Sequence, residues 1–129
     1  GFYRWGCYHL NVNGADGIEI GSGLENTMDI INQQCSNENI SVSSAEACVN
    51  FETNNYNDWY LPSGDELYLM FFHLGGLNSE YGFEEQTYWS SSESDHVLNH
   101  YVYTVSMTNG NYHIDSKSSQ YKVRPIRSF

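Results

Sequence analysis

The sequence predicts a single α+β domain spanning residues 1–129, with a small, twisted, mostly antiparallel sheet, two to three helices and long ordered loops. Three stretches carry that prediction. Residues 58–76 read as strand, turn and helix. Residues 101–115 read as a β-hairpin. Residues 26–51 hold two short helical patterns separated by a polar turn.

Taken in order, residues 1–12 are aromatic-rich and read as a strand. A glycine-rich stretch follows, with Gly14, Gly17, Gly21 and Gly23. It lacks a lysine and a preceding βαβ strand, so it is a loop built from turns and not a phosphate cradle. Asn26 or Thr27 can cap a first helix whose apolar side is Met28, Ile30 and Ile31, ending near Cys35. Residues 37–41 form a polar turn. Ser43 or Ser44 caps a second helix with Ala45, Cys48, Val49 and Phe51 on its buried stripe, and residues 53–55 stop it. Trp59, Tyr60 and Leu61 read as a short buried strand that Pro62 ends, with Trp59 and Leu61 as the keystone of the fold. Ser63 and Glu66 then match the capping box that opens a third helix. Leu67, Met70, Phe71 and Leu74 recur at helical spacing, and Gly75-Gly76 is the stop.

Tyr88, Trp89 and Ser90 start another strand, and residues 91–99 are polar and loop-like. Asn109-Gly110 is the favoured dipeptide of a two-residue type I′ turn. That turn pairs Val105 with Ile114 and Thr104 with Asp115. It puts Tyr103, Val105, Met107, Tyr112 and Ile114 on a core face, and Thr104, Ser106, His113 and Asp115 on a face for solvent or ligand. Residues 122–129 close the chain as a strand, with Pro125 implying an edge or a bulge.

Composition narrows the function. Aromatics make up 16% of the chain, too many for disorder. No apolar run approaches the roughly 20 residues of a membrane span, so no membrane insertion is expected. No basic region followed by an apolar run opens the chain, so a signal peptide is absent or already removed. Sixteen acidic residues face five basic ones, for a formal charge of -11. A nucleic-acid partner needs a basic face that this chain cannot build. Sulfated polymers are disfavoured for the same reason. Neutral glycans, cations or protein partners fit better, and a surface made polar by Asn, Ser and Tyr suits an extracellular or cell-surface protein.

Chemistry-bearing residues are few. Of the three cysteines, Cys35 and Cys48 would close the shortest loop, leaving Cys7 free and buried; three buried thiols are the alternative. Asp16, Glu19 and Glu25 are carboxylates of the kind calcium takes, but their spacing matches no calcium loop, so no cofactor is expected. His96 and His100 are four apart but lie between a loop and a strand, so no metal is assigned to them. His73 reads as a packed or capping residue, and Ser90–Ser92 as backbone partners rather than nucleophiles.

The blocks WGCY, GADGIEIGSGLENT, NDWYLPSGDEL, YWSSSE, Gly110, Lys117 and VRPIRSF together resemble the C-terminal domain family of the Legionella collagen-like adhesin, over residues 3–129. The resemblance implies a C-type lectin-like fold, close to the formylglycine-generating-enzyme-like class. It also implies an extracellular setting, with a trimeric head or a module of a larger secreted chain as contexts. The link of that adhesin with sulfated polysaccharides does not carry over to a domain this acidic.

The expected function is non-enzymatic recognition of a cell-surface ligand, most of all a glycan. A structural or oligomerisation head that binds protein is the second reading, and a formylglycine-generating-type enzyme the third. The expected ligand-binding residues are Glu93, Asp95, His96, Asn99 and His100 on the polar loop, with Asn109, Asn111 and His113 on the hairpin. Such carboxylates, amides and imidazoles beside Tyr rings offer a sugar hydrogen bonds and a stacking face.

Overall fold

The computed structural model describes residues 2–8, 10, 12–33, 42–74, 86–94 and 100–128. Their order is β1 (Tyr3–Arg4), α1 (Gly23–Asn32), α2 (Ser44–Val49), α3 (Gly64–Leu74), β2 (Thr87–Glu93), β3 (Tyr101–Ser106), β4 (Tyr112–Ser116) and β5 (Gln120–Tyr121). The α+β expectation holds: three helices accompany a three-stranded antiparallel sheet, β2-β3-β4, and a two-stranded one, β1-β5. The expected ends of the first and third helices, Cys35 and Gly75-Gly76, and the polar turn at 37–41 lie outside the described residues.

Successive residues of a strand face opposite sides, so each of β2 and β3 can serve two cores. Trp89 and Val102 join Trp5, Val12, Ala15, Ile30, Ala45, Cys48 and Leu61 on one side. Tyr88 and Val105 join Met107 and Leu67 of α3 on the other, with Met70, Phe71 and Tyr112 packed against them. The expectation that one hairpin face meets solvent is therefore corrected at Thr104 on β3, while His113 on β4 is exposed as expected. β3 is the central strand, Thr104 is fully buried, and its hydroxyl donates to Asp115 at 2.6 Å.

The hairpin forms, but its register differs by two residues: Val105 pairs with Tyr112 and Thr104 with His113. The loop has four residues, 107–110, not two. Ser106 N–H bonds Asn111 O at 3.0 Å, and Gly110 N–H closes a tighter turn onto Ser106 O at 2.7 Å. Gly110 takes φ +77, where side chains are strained, and a Cβ there would run into the Phe71 ring. Met107 leaves the β4 side of the ladder but keeps its N–H on Gln86 O at 2.9 Å, and its side chain is fully buried. An even shift keeps every side chain on its expected face.

The capping box of α3 is present. Glu66 N–H donates to Ser63 Oγ at 3.3 Å, and Ser63 N–H donates to Glu66 Oε1 at 2.8 Å. Ser43 caps α2 as expected, accepting from Glu46 N–H. α1 begins earlier than expected, at Gly23, because Asn26 and Thr27 do not cap it. The Thr27 hydroxyl donates to Gly23 O and Leu61 O and accepts from Leu61 N–H. Asn26 clamps Gly17 from both sides, donating to its O at 2.6 Å and accepting from its N–H at 3.2 Å.

The YWSSSE block is a bulge. Trp89 pairs with Thr104 and Glu93 with Val102, so three serines on β2 stand opposite Tyr103 alone. A bulge strips backbone groups of ladder partners, and buried ones must find others. Ser91 N–H donates to Pro62 O, Ser92 N–H to Ser90 Oγ, and Ser90 Oγ donates to Tyr103 O. Ser92 Oγ reaches out of the ladder, donating to Gly17 O and accepting from Gly64 N–H. The expectation of serines as backbone partners is met.

Four expected features take other forms. The first strand stops at Arg4 because the chain turns at Gly6 (φ 95) and Cys7 (φ 55). Tyr60 makes a single bridge to Ile126 rather than part of a strand, and on the other side of Pro125 the C-terminal stretch meets β2 through a bridge from Lys122 to Tyr88. Leu61 is fully buried, but Trp59 is only partly so: its Nε1–H donates to Tyr56 O and its edge meets Phe51. The buried tryptophans are Trp5 and Trp89, whose ring N–H groups donate to Ser90 O and Tyr3 O. The expected Cys35–Cys48 bridge is also corrected: Cys48 is a free, buried thiol and Cys7 is in a disulfide. A two-cysteine loop is the shortest to close, but Cys48 sits in the core stripe of α2, where shape rather than loop length decides. Cys35 lies outside the described residues.

Candidate functional site: a tyrosine-walled cleft

The hairpin and α3 together enclose an open cleft of about 540 Å³, lined by Ile18, Asp65, Tyr103, Tyr112, His113 and Ile114. Asp65 stands in the first turn of α3, where the capping box has already used Glu66. Its N–H donates to Ile18 O at 2.9 Å, which ties the glycine-rich loop to the helix. Tyr103 and Ile114 are cross-strand partners, and Tyr112 shares their face.

The Tyr112 hydroxyl donates to Asp65 Oδ1 at 2.9 Å. Gly64 makes that reach available, since a Cβ there would collide with the same hydroxyl. Burial first, and the Asp65 carboxylate second, push the Tyr112 phenol well above its ordinary range, so it keeps its proton. The Tyr103 ring stands edge-on to Tyr112 (5.9 Å, 87°), and Tyr68 stacks against it (5.7 Å, 28°). The cleft thus offers aromatic faces at right angles, an aliphatic rim and one carboxylate.

The expected binding residues do not converge. Glu93 is corrected: its carboxylate pairs with the buried Lys117 at 2.6 Å and accepts Val12 N–H, so it is part of the interior. His100 is half-buried, its ring 5.3 Å from Tyr8. Asn109 and Asn111 are exposed at the hairpin tip, where Asn109 Oδ1 accepts Asn111 N–H. His100, which precedes β3, and this tip, which follows it, stand at opposite ends of that strand, about 17 Å apart at roughly 3.3 Å per residue. Asp95, His96 and Asn99 lie outside the described residues. Only His113 borders the cleft, and its side chain alternates to the face of Thr104.

Sequence reasoning missed Asp65, which it assigned to capping, and Tyr103, Tyr112 and Ile114, which it assigned to the core. A signal was available: the box needs only Ser63 and Glu66, which leaves Asp65 unused. Among the described residues, no group of three or more His, Cys, Asp or Glu could hold a metal ion. No described helix is long and apolar enough to cross a membrane.

The family model described as the Lcl C-terminal domain matches residues 23–127. No curated protein and no solved structure matches the chain.

Proposed function

The chain belongs to the Lcl C-terminal domain family, an adhesin-associated family, and from that premise we propose that it recognises glycans outside the cell, without chemical turnover, through the tyrosine-walled cleft. One observation carries the reading: Tyr103 and Tyr112 meet at 87° beside Asp65, pairing a stacking face with a hydrogen-bond acceptor. The lectin-like character of the fold and a recognition domain running over residues 1–129 belong to the same proposal.

Charge favours glycans free of sulfate. Lys117 is buried against Glu93, Arg127 holds Asp58 through two bonds of 2.7 and 3.0 Å, and Lys122 lies over the Phe2 ring. Among the described residues, no lysine or arginine lines the cleft.

A glycan array followed by calorimetry on the best neutral hit tests the proposal. Tyr103→Ala should abolish binding with the fold intact. The pair Asp95→Ala with Asn99→Ala tests the polar loop as the alternative location. Loss of binding in that pair alone would move the site there.

A second reading, a head that docks protein or its own copies, is favoured by the outward side of α3. Tyr68, Leu69 and Phe72 are exposed there, Phe72 at 68%. Light scattering for a stable trimer, with a silent array, would select it.

A further inference from the structure

We infer that the ligand of the cleft carries an ammonium group, as an amino sugar with a free amine does; this rests on the glycan reading above. Asp65 is the only acidic residue of the cleft lining among the described residues. One of its oxygens accepts the Tyr112 hydroxyl, and the other has no hydrogen-bond partner among the described residues. No described lysine or arginine lines the cleft to neutralise it. Asp65 shares the cleft lining with Tyr103 and Tyr112, and Tyr112 already carries Tyr68 stacked on it, so Tyr103 is the ring left to meet a ligand.

A carboxylate in a lining that also holds aromatic rings suits a cation. The rings attract positive charge through their quadrupoles, and the carboxylate accepts a charge-assisted hydrogen bond. A neutral sugar hydroxyl can also donate to Asp65, but it brings neither the ion-pair attraction nor a positive charge for the rings. The excess of acidic residues acts in the same direction, attracting cations and repelling sulfate or carboxylate groups.

The test uses two probes that differ only at nitrogen: a β-1,4-linked glucosamine tetramer and its fully N-acetylated counterpart. Binding is measured by calorimetry at about 0.15 M salt, where exposed charges beyond about 8 Å are screened. The free-amine tetramer should bind at least about tenfold more tightly. Asp65→Asn, which keeps an oxygen for Tyr112, should erase the difference. Glu52→Gln makes the same change in net charge at an exposed position and should preserve it.

Equal or tighter binding of the acetylated tetramer overturns the ammonium inference and leaves the glycan reading standing. So does a silent pair of tetramers when a neutral array hit still depends on Tyr103. A preference that survives Asp65→Asn, or pentalysine binding more tightly than the glucosamine tetramer, also overturns it, since attraction to the acidic surface would then suffice. A silent array removes the glycan reading and this inference together.

Discussion

Lys117 Nζ lies 2.6 Å from Glu93 Oε2 with 0% and 9% of the two side chains exposed, and it also donates to Cys7 O at 3.3 Å and Leu10 O at 3.0 Å. One ammonium thus joins the end of β2 to the N-terminal turn, above the Trp5 ring at 4.9 Å. Glu93 continues the clamp by accepting Val12 N–H, while its own N–H donates to Ala15 O at 2.8 Å.

Lys117→Met leaves a buried carboxylate and two carbonyls without their donor. It should cost about 3–5 kcal/mol, much of a total of about 5–15 kcal/mol. Adding Glu93→Leu removes the orphaned charge and should recover part of the loss, with the two carbonyls limiting the recovery. Urea unfolding of the single and double variants measures both. A harmless Lys117→Met would show that the pair is not closed in solution.

The tryptophans separate by burial. Trp89→Ala should cost about 3–5 kcal/mol, because the ring lies wholly in the core and its Nε1–H holds Tyr3 O. Trp59→Ala should cost less than about 2 kcal/mol, because its ring is partly exposed and meets Phe51 edge-on. Thermal unfolding of the two variants ranks them, and the reverse order would return Trp59 to the centre of the fold.

These outcomes mark where the sequence was legible. Local rules held where local atoms decide: Ser63 and Glu66 cap α3, Ser43 caps α2, and the hairpin appears. Rules failed where a distant partner competes. Asn26 and Thr27 look like caps, yet their hydrogen bonds go to Gly17 and Leu61. Asn109-Gly110 suits a two-residue turn, yet the loop has four residues and Gly110 lies against the Phe71 ring of α3. Lys117 looks like a surface residue until the fold brings Glu93 to it from 24 positions away. Tyr103 and Tyr112 share a strand face that the hairpin pattern predicts, but pattern alone cannot tell a packed ring from one that walls a cleft.

Alkali should destabilise the protein through Cys48 and then Tyr112. Burial raises the Cys48 thiol far above its ordinary value, and Tyr112 is raised by burial and by Asp65. Both groups therefore keep their protons in the folded state. Below about pH 8.5 the unfolded chain keeps them too, and the stability they contribute is present. Above that the unfolded thiol ionises while the folded one does not, so stability falls as pH rises, by up to about 1.4 kcal/mol per unit from this group. Tyrosine adds to the fall above about pH 10. Cys48→Ala should delay the onset. Native Cys48 should also resist iodoacetamide until urea is added, and a cross-linked peptide containing Cys48 would contradict the free thiol.

The approach of Tyr112 to α3 gives a test in which helix propensity and packing oppose each other. Gly64 opens α3, and alanine is the better helix former by about 1 kcal/mol in a helix interior. Propensity alone therefore predicts that Gly64→Ala stabilises. But the new methyl group would collide with the Tyr112 hydroxyl and press on Ile18 Cγ1 at 3.0 Å. Overpacking of this kind costs about 1–3 kcal/mol, so Gly64→Ala should be destabilising. It should also swing Tyr112 away from Asp65 and weaken ligand binding. Tyr112→Phe removes the colliding oxygen and keeps the ring. Added to Gly64→Ala it should therefore cost less than on the wild type, where it removes the hydrogen bond to Asp65. A double-mutant cycle by urea unfolding gives the coupling, expected at about 0.5–3 kcal/mol for residues in contact. Additive effects would mean that the hydroxyl does not occupy the space beside Gly64.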